Sequence, residues 1–328
     1  YNVNPYWDVY KNSNNSKKDQ FRFNGKVVWN ITQHLKIQGT AGAELNWFTF
    51  EDYKAPTTPG YESGYLQNNN FRNRMYNFEL LALYNNSWGD FDFNATLGGN
   101  LYKVNNQTIV TTAKDMKIRD VVALMSFNEV SVEPYSYRKQ INSVYGAVNL
   151  GWKHMLYFDA TLRGDQSSTL PISNNMYIYP SFSGSFVFSE LLKLGDKLPY
   201  GKVRMSWAQV GSDTDPYQLG LVYTKSKFAY PGYTIGYISN GTIPNKDLKP
   251  TKTNSFEMGL ELKFLKNRIG LDFTYYSQLS KNQIMGMASS STSGYGYRLI
   301  NAGEIENKGV EIALNTRPIQ TKDFSWDL

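Results

Sequence analysis

His34 and His154 are the residues in this 328-residue chain best suited to moving a proton near neutral pH. They stand in "TQHL" and "WKHML", in short breaks between patterned segments. Neither has a second ligand or a nucleophile at the spacing a metal centre or triad needs. The chain has no cysteine, so thiolate chemistry and a disulfide framework are absent. Arg163-Gly164-Asp165 could read as an adhesion signal, but it lies at a strand end, where Asp165 and Ser167 suit the capping of a turn. "GYGY" at 294–297 lacks the strand-then-helix unit of a phosphate loop. The expectation is a protein with no catalytic residue, no metal and no cofactor, and so not an enzyme.

Binding chemistry is better represented. Tyr61 and Tyr65 lie in one long polar stretch, Tyr230, Tyr233 and Tyr237 in another rich in Gly and Pro, and Tyr295 and Tyr297 beside Arg298 in a third. A tyrosine offers a flat apolar face with a hydrogen-bonding tip, which suits sugars or peptides in a wet cavity. These eight residues are candidates for contact with a substrate or with a partner protein. The competing reading is that they pack loop against loop.

The elements that must position them are strands. In "FEMGLELKFLKNRIGLDFTYY", Phe256, Met258, Leu260, Leu262 and Phe264 alternate with Glu257, Gly259, Glu261 and Lys263, and the pattern resumes at Ile269, Leu271 and Phe273. Period two over such lengths means strands with two chemically different faces. The same alternation runs through "FRFNGKVVWNI", "LKIQGTAGAELNW", "FDFNATLGGNL", "VYGAVNLGW" and "LYFDATLR". It predicts an all-β protein of about twelve strands, mostly of about 9–14 residues, with one helix candidate at "SELLKL", 189–194. The first twenty residues read as the tail of a loop.

Predicted connections alternate in length. Short ones fall at Thr32–His34, Asn85–Asp90, Lys153–His154, Leu265–Arg268 and Arg317–Lys322, with a middling one at Glu190–Pro199. Long ones fall near 51–73, 103–136, 164–177, 212–253 and 280–307. An up-and-down meander then puts all tight turns at one end and all long loops at the other, the polarity of outer-membrane barrels.

Composition is compatible with that. Mean hydropathy is −0.49, and no run approaches the roughly 20 apolar residues of a spanning helix. The net charge of +6 is dispersed, without the clustering that nucleic acid requires. Alternation alone fits a soluble sheet protein as well as a membrane barrel. Strand length, the small and charged residues on the polar faces, and Trp29, Tyr84, Trp88, Trp152 and Trp326 near the short turns favour the barrel. "DFSWDL" breaks off inside a strand pattern, so the remaining strands are expected from a longer polypeptide.

Several blocks resemble SusC/RagA-like TonB-dependent outer-membrane transporters. They are "NPYW" with "KKDQFRFNGKV", "INSVYGAVNLGWKHMLYFDATLRGDQSSTLP", "YPSFSGSFVFSELL", "GKVRMSWAQVGSD", "NKDLKPTKTNSFEMGLELKFLKNRIGLDFTYY" and "NAGEIENKGVEIAL", in order over nearly the whole chain. The family's corner is closer to Arg-x-Asp-Gly-Ser-Ser, and Gln166 replaces its Gly here. The resemblance implies that residues 1–328 are a middle portion of a large antiparallel up-and-down transmembrane β-barrel, with long extracellular loops. It implies TonB-dependent import of oligosaccharides or peptides across the outer membrane of a Gram-negative bacterium. The implied partners are outer-membrane lipid, a SusD-like surface lipoprotein lid, and TonB through an N-terminal region outside these residues, with no nucleic acid. A passive porin-like or adhesive barrel is the alternative.

Overall fold

The computed structural model describes residues 4–192, 195–225, 232–233, 235–238 and 241–328. A short helix, α1 (Pro5–Lys11), precedes β1 (Ser13–Asn30), β2 (Leu35–Lys54), β3 (Tyr65–Trp88), β4 (Phe91–Met116), β5 (Phe127–Trp152), β6 (Leu156–Ser167) and β7 (Met176–Val187). Helix α2 (Phe188–Leu192) leads to β8 (Tyr200–Ser212). Three short strands follow within one connection: β9 (Tyr223–Lys225), β10 (Gly236–Ile238) and β11 (Thr242–Ile243). Then come β12 (Thr251–Phe264), β13 (Ile269–Lys281), β14 (Ile284–Ala288), β15 (Tyr297–Asn301), β16 (Glu304–Thr316), β17 (Ile319–Gln320) and β18 (Ser325–Trp326).

Eleven strands form one sheet in the order β1-β2-β3-β4-β5-β6-β7-β8-β12-β13-β16, close to the twelve expected. Neighbours in space are neighbours in sequence once the short loop strands are set aside, which is an up-and-down antiparallel meander. Helix α2 covers 189–192 of the helix predicted at 189–194, whose last two residues lie outside the described ones.

Three expectations are corrected. Strands are longer than predicted: β3 has 24 residues, and β4 and β5 have 26 each. The predicted loops 51–73 and 103–136 therefore shrink to 55–64 and 117–126. Residues 103–116, "KVNNQTIVTTAKDM", are polar on both faces, so apolar alternation vanishes while Val, Ile and Thr still hold the extended backbone. Residues 4–20 are helix and strand instead of the expected loop, apart from their junctions. Asn4 caps α1 by accepting from the Tyr6 amide at 3.0 Å, Pro5 starts the helix, and β1 begins at Ser13. Finally, the connection 188–199 is longer than 168–175, so the length alternation is not strict.

By Cα proximity the chain divides into two compact units, one of residues 1–26, 40–78 and 101–140, the other of 27–39, 79–100 and 141–328. In the second, register fixes the faces. Val148, Ala160, Phe182, Trp207 and Phe256 lie side by side across five strands. One residue over, Asn149, Asp159, Ser183, Ser206 and Glu257 do the same on the opposite face. Leu260 pairs with Phe273, Leu262 with Leu271 and Phe264 with Ile269, and the row continues into Ile312 and Leu314 of β16. Phe256, Leu260, Ile269, Leu271 and Phe273 thus share one face, the apolar one.

That face has no cover among the described residues. Leu162 is 54%, Ile312 66% and Leu314 60% exposed. Buried apolar side chains gather instead at the loop bases. Tyr53, Ala55, Leu66, Ala113, Met116 and Phe127 form one cluster in the first unit. Leu170, Tyr177, Leu248 and Leu299 form another in the second. Leu248 is the fully buried centre of the latter. Leu248→Ala should cost about 2–5 kcal/mol locally. Amide exchange should accelerate across 213–250 and 282–303 while the β12–β13 ladder keeps its protection; uniform loss of protection would mean that the wall, too, depends on this cluster.

Candidate functional site

Tight backbone geometry shapes the first candidate loop, 55–64. Thr57, Gly60 and Gly64 have left-handed φ of 73, 84 and 82°. At Gly64 a Cβ would meet Met116 Cβ at 3.1 Å and Pro56 Cγ at 3.2 Å, so both φ and space require glycine. Tyr61 and Tyr65 are brought together with ring centroids 5.0 Å apart, and the Tyr65 hydroxyl donates to Gln67 Oε1 at 2.9 Å. Burial raises the Tyr65 phenol above its usual pKa. The Glu62 carboxyl is lowered by the amides of Glu62 and Gly60. Helix α1 is bolted to this loop: Trp7 Nε1 donates to Thr58 Oγ1 at 3.0 Å, and Asn12 Oδ1 accepts from Ala55 N at 2.9 Å and Thr58 Oγ1 at 3.1 Å. Sequence reasoning missed this helix, although its Asn-Pro start was visible.

In the second unit, Tyr297 and Arg298 are consecutive in β15, the middle strand of the sheet β11-β15-β14. Tyr297 stands opposite Ala288 and Thr242, and Arg298 opposite Met287 and Ile243. Tyr295, half-buried, lies just before them. Tyr237 sits in β10, which pairs with β9, and both it and Tyr233 are exposed. Tyr230 lies outside the described residues. The structure therefore joins Tyr61 to Tyr65, and Tyr295, Tyr297 and Arg298 to one small sheet. Tyr237 belongs to a different one, and Tyr233 lies in neither.

Side chains not anticipated from the sequence hold these loops. Asn301 clamps Lys249: its Oδ1 accepts from the Lys249 amide at 2.8 Å and its Nδ2 donates to the Lys249 carbonyl at 2.7 Å. The Arg163–Asp165 corner is structural, as expected, but its bonds differ in part. Ser167 Oγ does accept from the Thr169 amide, at 3.3 Å, as a turn cap would. Asp165 instead binds sideways to Arg163 Nε at 2.9 Å and to the Tyr179 hydroxyl. Ser167 and Thr169 both donate to Asp213 at the root of the next long loop, Thr169 at 3.1 Å. Asp165, Ser167 and Thr169 are all buried.

The polar face of the second unit carries a second set of groups. Arg204 binds Asp272 through two nitrogens at 2.8 and 2.9 Å and Thr274 at 2.7 Å. Tyr145 donates to Glu79. His34 makes no catalytic pair: its Nδ1 lies 3.0 Å from the Asn85 carbonyl and its Nε2 2.9 Å from the Gln33 amide nitrogen. His154 has φ 55° in a tight turn. The loop phenols and Arg298 can bind and orient, while the Arg204–Asp272 pair and the Tyr145–Glu79 bond tie strands of the wall together.

Comparison with known proteins agrees with this geometry. A family model described as TonB dependent receptor-like, beta-barrel, matches residues 1–328. TonB-dependent receptor P3 of Formosa agariphila is 26% identical over 337 residues, covering 98% of this chain and 33% of that protein. TonB-dependent receptor SusC of Bacteroides thetaiotaomicron is 25% identical over 360 residues, covering 99% of this chain and 35% of that protein. Among solved structures, the RagAB peptide transporter matches with a TM-score of 0.87 at 22% identity, over 98% of this chain and 36% of that one. The chain thus spans about a third of the length of the relatives it matches. The chain belongs to the TonB-dependent receptor-like β-barrel family.

Proposed function

We propose that these residues are a middle portion of the wall of an outer-membrane barrel that imports oligosaccharides or peptides with energy delivered through TonB. The observation that carries the reading is the uncovered apolar face. A soluble protein rarely leaves a contiguous apolar patch beyond a few hundred Å² in water, and here such residues run across strand after strand. Lipid is the solvent that suits them, and the polar face then lines the interior. Rings near the short connections fit one membrane interface: Phe91 lies 6.3 Å from Trp152, and Trp88 5.9 Å from Phe93.

The long connections then face outward, where the loop tyrosines and Arg298 meet substrate or a SusD-like lipoprotein lid. Two similarities support import: SusC is named a TonB-dependent receptor, and RagAB a peptide transporter. The mechanism is conformational. Substrate is captured at the loops and released past a rearranged plug, and no bond is broken.

In the full-length protein, Leu271→Arg on the apolar face should cost about 2–4 kcal/mol in a lipid folding titration. Ser206→Arg on the polar face should cost far less. Ser206 is the cleaner control, because Thr274 already holds Arg204. Equal costs would argue for a water-facing wall.

Deleting Lys225–Ile238 should leave the barrel assembled, by surface labelling, but impair growth on the cognate nutrient. Normal growth with normal assembly would remove this loop from recognition. Growth that persists after loss of TonB would favour a passive porin.

A further inference from the structure

Two glycines on the polar face lie under side chains that cross a whole strand. Arg204 on β8 reaches over Gly259 on β12 to Asp272 and Thr274 on β13. A Cβ on Gly259 would stand 2.5 Å from Arg204 Nε and 2.7 Å from its Cζ. Tyr145 on β5 likewise passes over Gly98 on β4 to reach Glu79 on β3. A Cβ on Gly98 would stand 2.5 Å from Tyr145 Cε2, 2.6 Å from its Cζ and 2.7 Å from Leu81 Cδ2. Neither glycine has a positive φ, so backbone freedom does not explain them. Space does: a strand glycine marks a close approach. Both are buried: Gly259 alone in β12, and Gly98 well away from the other buried residues of β4, Thr111, Ala113 and Met116.

We infer that Gly98 and Gly259 are floors that keep Tyr145 and Arg204 lying flat, so that the polar face stays low and the passage beside it stays clear. This rests on the reading that the polar face lines the transport path. The physical reason is simple. A long side chain standing off a wall narrows the lumen, and the groups lining a pore set what passes. Laid across a glycine and tied to a carboxylate on the far strand, the same side chain takes up no room. The arrangement also keeps the Arg204 charge paired rather than presented to cargo.

The test uses the full-length protein in its own outer membrane. Gly259→Ala should push the end of Arg204 off the sheet and slow nutrient uptake severalfold at unchanged surface abundance. Arg204→Ser alone should import at the normal rate, and Gly259→Ala combined with Arg204→Ser should recover it. Made in a Leu81→Ala protein, which removes the other contact at Gly98, the pair Gly98→Ala and Tyr145→Ser should behave in the same way, and decides the matter if a Gly259 variant fails to assemble. Normal uptake with alanine at either glycine would overturn the inference. So would an Arg204→Ser protein as slow as Gly259→Ala, because the ion pair itself would then be what matters. If the unaltered protein imports nothing, the transport reading fails instead. A structure of the Gly259→Ala protein then still decides whether Arg204 has risen from the sheet or the strands have moved to keep it down.

Discussion

The whole structure depends on one constraint: a sheet one layer thick has to satisfy both of its faces. Period-two alternation sends Phe182, Trp207 and Phe256 one way and Ser183, Ser206 and Glu257 the other. A sandwich would close a second sheet over the apolar side at about 10 Å. Here nothing among the described residues does so, and the well-buried apolar residues sit at the loop bases instead. On the proposed reading the apolar face is left to lipid and the polar face to a wet interior. Loop placement, the aromatic rings near the short turns and the flattened side chains on the polar face all follow from that division.

On the proposed reading the division also separates stability from recognition. Long, regular ladders carry the wall. The loops are stabilised by their own small cores and clamps, with Leu248 in one cluster and Asn301 bonded to both polar atoms of the Lys249 backbone. Loops built in this way can present phenols and an arginine on defined backbone and can vary without disturbing the ladder.

Much of the wall was legible in the sequence because period two is a local signal. The strand faces, the tight turns at 153–154 and 265–268 and helix α2 could be read from neighbouring residues. The outer halves of β4 and β5 could not. Where both faces are polar, as in residues 103–116, alternation carries no contrast and the pattern looks like loop. Helix α1 was readable from Asn4-Pro5 and was passed over because seven residues carry too little periodicity. The bonds of Asp213 to Ser167 and Thr169 join positions over forty residues apart, and nothing local announces them. Gly259 read as merely small; its role appears only once Arg204 and Asp272 are seen two strands apart.

The most direct test of the central claim is which face meets acyl chains. Fluorophores attached to single cysteines along β16 of the full-length protein, reconstituted with lipids brominated on their chains, report this position by position. Labels at Ile312 and Leu314 should be strongly quenched, and labels at Glu311 and Ala313 should not. Equal, weak quenching at all four positions would contradict a lipid-facing wall.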